Sequence, residues 1–231
     1  MAIFATMGQV TPSNFRLRSY RLRGDRMTKA QAEAIASHWN KFEVPLRGKI
    51  DPRDLFYSLK PTNVIFEIGS GMGEATSEIA AANPNTGYVA VEVHKPGIGA
   101  LIIRAEQLGI RNLRIINADI FDVLTNHIDD NQIDGFHIFF PDPWPKRRQN
   151  KRRLLQPEFI ELLSRKLKSG GEISIATDWI HYAEEIESNF RANTSFTGGK
   201  IQRPAWRPIT KFEGKGISKE HVVTDFSYLK I

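Results

Sequence analysis

Residues 64–73 read Val-Ile-Phe-Glu-Ile-Gly-Ser-Gly-Met-Gly, an apolar run leading straight into a turn with glycine at every second position. Gly69, Gly71 and Gly73 allow a tight turn and a close backbone approach to a ligand, because no Cβ intervenes. Glu67 stands just ahead of the first glycine, and Glu92 closes the next apolar run, Tyr88-Val89-Ala90-Val91. A strand, a glycine turn, a helix and a second strand ending in an acid is the layout of a nucleoside-binding α/β unit.

The spacing narrows the nucleoside. A dinucleotide fingerprint places a third glycine three residues after the second. Here that position is Glu74, whose carboxylate would face a pyrophosphate with like charge. S-adenosylmethionine carries no phosphate, and its sulfonium and ammonium are cations that favour a nearby acid such as Glu67. Glu92 is placed to accept both ribose hydroxyls. The next apolar run, Leu113-Arg114-Ile115-Ile116, ends in Asn117-Ala118-Asp119, where Asp119 can accept from an adenine amino group. Glycine turns of this kind also occur with no ligand. Three acids at three successive strand ends favour the cofactor reading over that alternative.

The pattern downstream continues the alternation. Strands are expected near 64–68, 88–92, 113–117, 134–140, 171–176 and 222–229, with a less regular final pair within 197–231. Helices are expected from Thr28 as N-cap to about Asn40, and near 73–82, 98–108, 157–168 and 179–192. This predicts an α/β fold with a doubly wound, mostly parallel seven-stranded sheet of Rossmann-like type. Such sheets bind ligands beyond the carboxyl ends of their strands. Residues 1–27 show no periodicity and read as a flexible basic arm, leaving 28–231 as one domain.

Charge is localised. The chain carries a net charge of +6, yet residues 146–153 alone hold Lys146, Arg147, Arg148, Lys151, Arg152 and Arg153. A second basic cluster spans 16–29. Clustered cations of this kind point to a phosphate backbone as partner. Cysteine is absent, which removes disulfides, thiolate metal sites and cysteine nucleophiles. The histidines lack metal-ligand spacing, so no metal is expected. With no long apolar run and no leader pattern, a cytoplasmic location is expected, and no membrane partner. With no long exposed apolar helix, a monomer is expected.

The chemistry concentrates in residues 136–148, Phe-His-Ile-Phe-Phe-Pro-Asp-Pro-Trp-Pro-Lys-Arg-Arg. Asp142 lies between two prolines, which fix φ and restrict their neighbours. Trp144 adds a flat apolar surface, and the cations follow at once. A rigid surface turn over a core tryptophan is the bland alternative. Asp178, between a strand and a helix, could be an N-cap, and residues 210–213 could be a polar loop around a core Phe212.

Here a resemblance enters. The phrases Phe139-Phe140-Pro141-Asp142-Pro143-Trp144-Pro145-Lys146, Asn150-Lys151-Arg152-Arg153, Ala176-Thr177-Asp178-Trp179 and Thr210-Lys211-Phe212-Glu213 resemble the bacterial tRNA (guanine-N7)-methyltransferase family, as do the glycine turn and Glu92-Val93-His94. The resemblance runs from about residue 17 onward. It implies methylation of the guanine at position 46 of tRNA by S-adenosylmethionine. It also implies a cofactor site of Glu67, Glu92, Asp119 and Asp142, with Asp142 catalytic. Lys146, Asp178, Thr210, Lys211, Phe212 and Glu213 would contact substrate, and Arg148, Lys151, Arg152 and Arg153 would touch RNA. The competing expectations are a methyltransferase for another RNA or a protein, a non-catalytic RNA-binding module, and a nicotinamide oxidoreductase, the last disfavoured by Glu74.

Overall fold

The computed structural model describes residues 17–20, 24, 26–217 and 222–231. Most of the arm expected at 1–27 lies outside the described residues.

Seven strands form one sheet in the order β3-β2-β1-β4-β5-β7-β6. They are β1 (Asn63–Ile68), β2 (Thr86–Val91), β3 (Leu113–Ile116), β4 (Ile133–Phe139), β5 (Leu167–Thr177), β6 (Phe196–Ile201) and β7 (Thr224–Lys230). The first five in space run parallel, while β7 is antiparallel to both β5 and β6. The chain order therefore reverses between β1 and β4. Ligands of open α/β sheets lodge in the crevice opened by such a reversal.

Helices cover both faces, which is why the central strands are almost wholly apolar. On one face α1 (Lys29–Phe42), α2 (Glu74–Ala82) and α3 (Lys95–Gln107) bury Ile79, Ile98, Leu101 and Ile102 against Tyr88, Ala90, Leu113 and Ile115. On the other, α4 (Ile120–Asp122), α5 (Pro157–Lys166) and α6 (Ile180–Arg191) pack Phe159, Leu163, Tyr182 and Ile186 over Phe66, Phe136 and Ile173. Burial of each such large side chain contributes about 1.5–3 kcal/mol. Local signals set the ends. Thr28 and Gln31 form a reciprocal capping box at the start of α1, as expected for a Thr N-cap. Pro157 opens α5 at its first turn.

Two elements differ from expectation. The helix expected over 157–168 ends at Lys166, and β5 starts at once rather than at 171. Pairing with β4 slips between Ile133 and Gly135, and Gly170 adopts φ +76°, so the early part of β5 is an irregular lead-in. Within 197–231, where only a less regular pair of strands is expected, residues 211–217 form a short helix, α7 (Lys211–Ile217).

Candidate active site

The glycine turn joins the end of β1 to α2. Gly69, Gly71 and Gly73 all have positive φ, between 55° and 77°, and nothing lies within 4 Å of where a Cβ would project at Gly69 and Gly71. The turn is closed from below by α3: a Cβ on Gly97 would stand 2.2 Å from the Gly71 carbonyl oxygen.

Carboxylates line this turn. Glu92, buried at the end of β2, accepts the Gly71 N–H on Oε2 at 2.8 Å, and those of Val93 and His94 on Oε1 at 2.7 and 2.8 Å. A carboxylate offers about four acceptor positions. Three are thus taken by backbone, and the remaining one, on Oε2, is where a ribose hydroxyl is expected. Asn117 ties the end of β3 to the Glu92 carbonyl at 2.8 Å. Asp119 caps α4 by accepting the Phe121 N–H at 2.9 Å, at the end of β3 where an adenine-facing acid is expected.

Glu67 is the least satisfied acid. It is 3% exposed, and its Oε2 has no hydrogen-bond partner. Burial pushes its carboxyl up to about 7; the Thr76 hydroxyl opposes the shift and the Glu92 charge adds to it. A cation placed beside it would favour the ionised form. Across the sheet, His137 of β4 is level with Glu67. Burial lowers its imidazole to about 3, so it is neutral, and Trp206 stacks on it at 5.0 Å. A positive-φ turn with open space beside it and an acid lacking a cation suit a nucleoside that carries positive charge. The residues present therefore fit S-adenosylmethionine. Glu74 is engaged: it pairs with Arg104 at 3.1 Å and accepts the Lys211 N–H at 2.6 Å, fastening the start of α7 to the glycine turn.

β4 is the parallel neighbour of β1 across the switch point, so the loop after β4 leaves the sheet at the same end as the glycine turn. Phe140 and Trp144 flank Asp142 at φ +52° and +44°. Positive φ costs of order 1–3 kcal/mol for such residues, so the surroundings must hold them there. They do so through several contacts. The Phe140 N–H donates to the Ala176 carbonyl at 2.8 Å. The Trp144 indole N–H donates to the Ser19 carbonyl at 2.9 Å, and Arg152 lies 4.1 Å over its ring. The Asn150 amide, with its nitrogen turned inward, donates to the Trp144 and Lys146 carbonyls, both at 3.1 Å. Asp142 itself is half-buried. Trp144 is buried, as the bland alternative holds, but it anchors a strained loop rather than a passive turn.

On the far side, Asp178 follows β5. It stands one residue before Trp179, the N-cap position of α6. Thr210 Oγ1 accepts the Glu213 N–H at 3.2 Å and starts α7. Lys211 is exposed. Phe212 is 60% exposed, not core, and meets the Phe140 ring edge-on at 5.5 Å.

Two expected contacts turn inward. Glu213 is 2% exposed and paired with buried Arg207 at 2.8 Å, a geometry that occupies its carboxylate. Arg153, expected on the RNA-facing rim, is 4% exposed and points into the protein, because its cation is neutralised there by Glu185. Lys146, Arg148 and Lys151 are exposed on the 3₁₀ turn Arg147–Arg152 and its lead-in, and Arg152 is partly covered by its stack on Trp144. Sequence reasoning missed Arg207. It binds Asp225 at 2.7 Å as well as Glu213, and lies 5.9 and 5.6 Å from the rings of Phe139 and Phe140. Its flanking residues, Pro204-Ala-Trp and Pro208, mark a rigid segment but give no hint of its partners.

Among the described residues, no cluster of His, Asp and Glu could hold a metal, and no helix is long and apolar enough to cross a membrane.

An acid-lined glycine turn at the reversal point of a seven-stranded sheet with an antiparallel β7 defines a Rossmann-like methyltransferase. The 16S rRNA methyltransferase KamB shares this fold, with a TM-score of 0.57 at 15% identity over 80% of this chain and all of that one. Residues 61–226 match the family model described as "Putative methyltransferase". The tRNA (guanine-N(7)-)-methyltransferase of Streptomyces avermitilis is 43% identical over 94% of this chain and 76% of its own length. That of Nitrosospira multiformis is 42% identical over 93% and 94%. The chain belongs to the tRNA (guanine-N7)-methyltransferase family.

Proposed function

We propose that this protein methylates N7 of a guanine in tRNA, the variable-loop guanine at position 46, with S-adenosylmethionine as donor. The observation that carries the reading is the strained Pro-Asp-Pro-Trp loop. It stands after β4 at the switch point, next to the acid-lined turn of β1 and leading directly into the exposed cations Lys146, Arg148 and Lys151.

When bound, S-adenosylmethionine supplies an electrophilic methyl group on a sulfonium. Glu67, Glu92 and Asp119, with the turn at Gly69, Gly71 and Gly73, hold the cofactor. Guanine N7 already presents an in-plane lone pair, so no proton has to leave first. The protein's task is alignment and exclusion of water. The base becomes cationic as it is methylated, and the Asp142 carboxylate favours that charge. Asp142 thus acts as an orienting and electrostatic group. Lys146, Asp178, Thr210, Lys211 and Phe212 form the substrate wall, with the exposed Phe212 ring available for stacking. Glu213 supports that wall from behind through Arg207. Arg148, Lys151 and Arg152 meet phosphates, joined by the basic arm that precedes the 28–231 domain. The enzyme works as a cytoplasmic monomer.

Unmodified tRNA incubated with protein and S-adenosylmethionine, digested and analysed by nucleoside mass spectrometry, should yield N7-methylguanosine. Asp142→Ala should lower turnover about 100-fold while weakening cofactor binding by less. Equal loss of both overturns the role given to Asp142, and a different methylated nucleoside overturns the substrate.

A further inference from the structure

Arg153 closes the run of cations that follows the catalytic loop, yet its guanidinium is spent on that loop. Its Nε–H donates to the Pro143 carbonyl at 2.8 Å, and its Nη1 pairs with Glu185 of α6. The guanidinium lies 5.0 Å over the Tyr182 ring. The Tyr182 hydroxyl accepts the Leu155 N–H at 3.0 Å, and Gln156 donates to the other Glu185 oxygen at 2.6 Å, so both partners of Arg153 are themselves oriented.

The carbonyl that Arg153 grips belongs to the peptide between Pro143 and Trp144. That peptide carries the change into positive φ at Trp144 and follows Asp142 by one residue. Released, the loop would relax toward ordinary dihedrals, and the direction of Asp142 would change with it. We propose that Arg153, oriented by Glu185, is a positioning residue that fixes the backbone presenting Asp142, and that it makes no contact with RNA. The proposal rests on the reading of Asp142 given above. Arginine suits the task because its planar fork engages a carbonyl and a carboxylate at once, which a lysine ammonium does not reproduce.

The test compares Arg153→Lys, Arg153→Gln, Glu185→Gln, Lys151→Ala and Asp142→Asn. Turnover is measured per folded enzyme well below the melting temperature, and tRNA affinity is measured against salt. Arg153→Lys should lower kcat about tenfold with cofactor affinity unchanged, and the charge-removing Arg153→Gln should leave the salt slope of tRNA binding unchanged. Glu185→Gln, which keeps the shape of the pair, should lower kcat in the same direction by less. Lys151→Ala, removing a phosphate contact, should reduce the salt slope by about one. In the Asp142→Asn background, Arg153→Lys should cost no more than about twofold, since coupled residues are not additive. A salt slope reduced by Arg153→Gln, which removes the charge, or an Arg153→Lys kcat loss that multiplies in full with Asp142→Asn, overturns the proposal. An Asp142→Asn enzyme of normal turnover refutes the reading of Asp142 and the clamp with it. A disabled Asp142→Asn enzyme beside an undisturbed Arg153→Lys enzyme refutes the clamp alone.

Discussion

The acids on the two sides of the switch point are held by different partners. On the cofactor side, Glu92 is fixed by the backbone N–H groups of Gly71, Val93 and His94, and Asp119 by that of Phe121. Glu67 has one oxygen with no partner at all. On the substrate side, Glu213 and Asp225 are fixed by Arg207, and Glu185 by Arg153. Backbone donors come with the turn itself and leave the acids open to a ligand that brings its own positive charge. Arginines engage their acids from within and tie distant segments together: β7, α7 and the end of β4 around Arg207, and α6 and the loop after β4 around Arg153. On the function proposed above, one side would receive a small cation, and the other would be a frame for a large anion bound at its surface.

The frame gives the largest expected effect. Arg207→Met would leave the buried Asp225 without its cation and Glu213 with only Arg203, at 3.8 Å. Breaking a buried pair in this way costs about 3–5 kcal/mol, which for a chain of this size lowers the melting temperature by roughly 10 °C. Replacing Glu213 by Gln and Asp225 by Asn in the same chain should recover part of the loss, because the uncompensated charges go with them. Scanning calorimetry on the single and triple variants decides the matter. A loss below about 1 kcal/mol for the single variant would place Arg207 with surface pairs and dissolve the contrast.

The two sides also differ in how far the sequence discloses them. The glycine turn, Glu92 and Asp119 are legible because each follows an apolar strand at the spacing of one α/β unit, and the strands themselves read as β-branched runs. The seven-stranded sheet follows from the same alternation. The arginine frame is not legible, because Arg207 meets Asp225 across 18 residues and Arg153 meets Glu185 across 32. Nothing in the run Asn150-Lys151-Arg152-Arg153 says which cation faces inward; the direction is set by α6, which supplies Glu185 and Tyr182. The helix at 211–217 escapes notice for a similar reason. It contains Gly214 and Gly216, poor helix formers, and is secured by Thr210 and by Glu74 from the glycine turn.

On the cofactor side, the next effect in size concerns Glu92. Glu92→Gln would replace one oxygen by an amide nitrogen, which must then face a backbone N–H instead of accepting it. Either Gly71 or the pair Val93 and His94 loses its acceptor. A hydrogen bond to a charged group contributes about 1.5–3 kcal/mol, so cofactor affinity should fall about 10- to 100-fold, with much less change in tRNA affinity. Calorimetric titration of the two ligands checks both halves. If the variant binds cofactor as the wild type does, the turn is held by something other than this carboxylate.

The smallest effect is a pH dependence confined to the same side. The folded chain holds the Glu67 proton up to about pH 7, against an ordinary value of 4.5. Between those two values the folded state carries one proton more than the unfolded state. This contribution to stability is therefore complete below pH 4.5 and is lost as pH rises through 7. His137 acts in the opposite sense, since burial lowers its imidazole from 6.5 to about 3 and stability from that source grows as pH rises between them. The informative quantity is accordingly the difference between wild type and Glu67→Gln, in which His137 cancels. Relative to the wild type, Glu67→Gln should gain stability as pH rises from 4.5 to 7, in denaturant titrations at several pH values. Cofactor affinity should show the converse. A bound cation favours the ionised carboxylate, so wild-type affinity should increase by at most about tenfold from pH 6 to pH 8, and the Gln variant should lack that increase. A wild-type profile that is flat over this range, or one that the variant reproduces, would mean that Glu67 does not serve as the counter-charge of the receptor side.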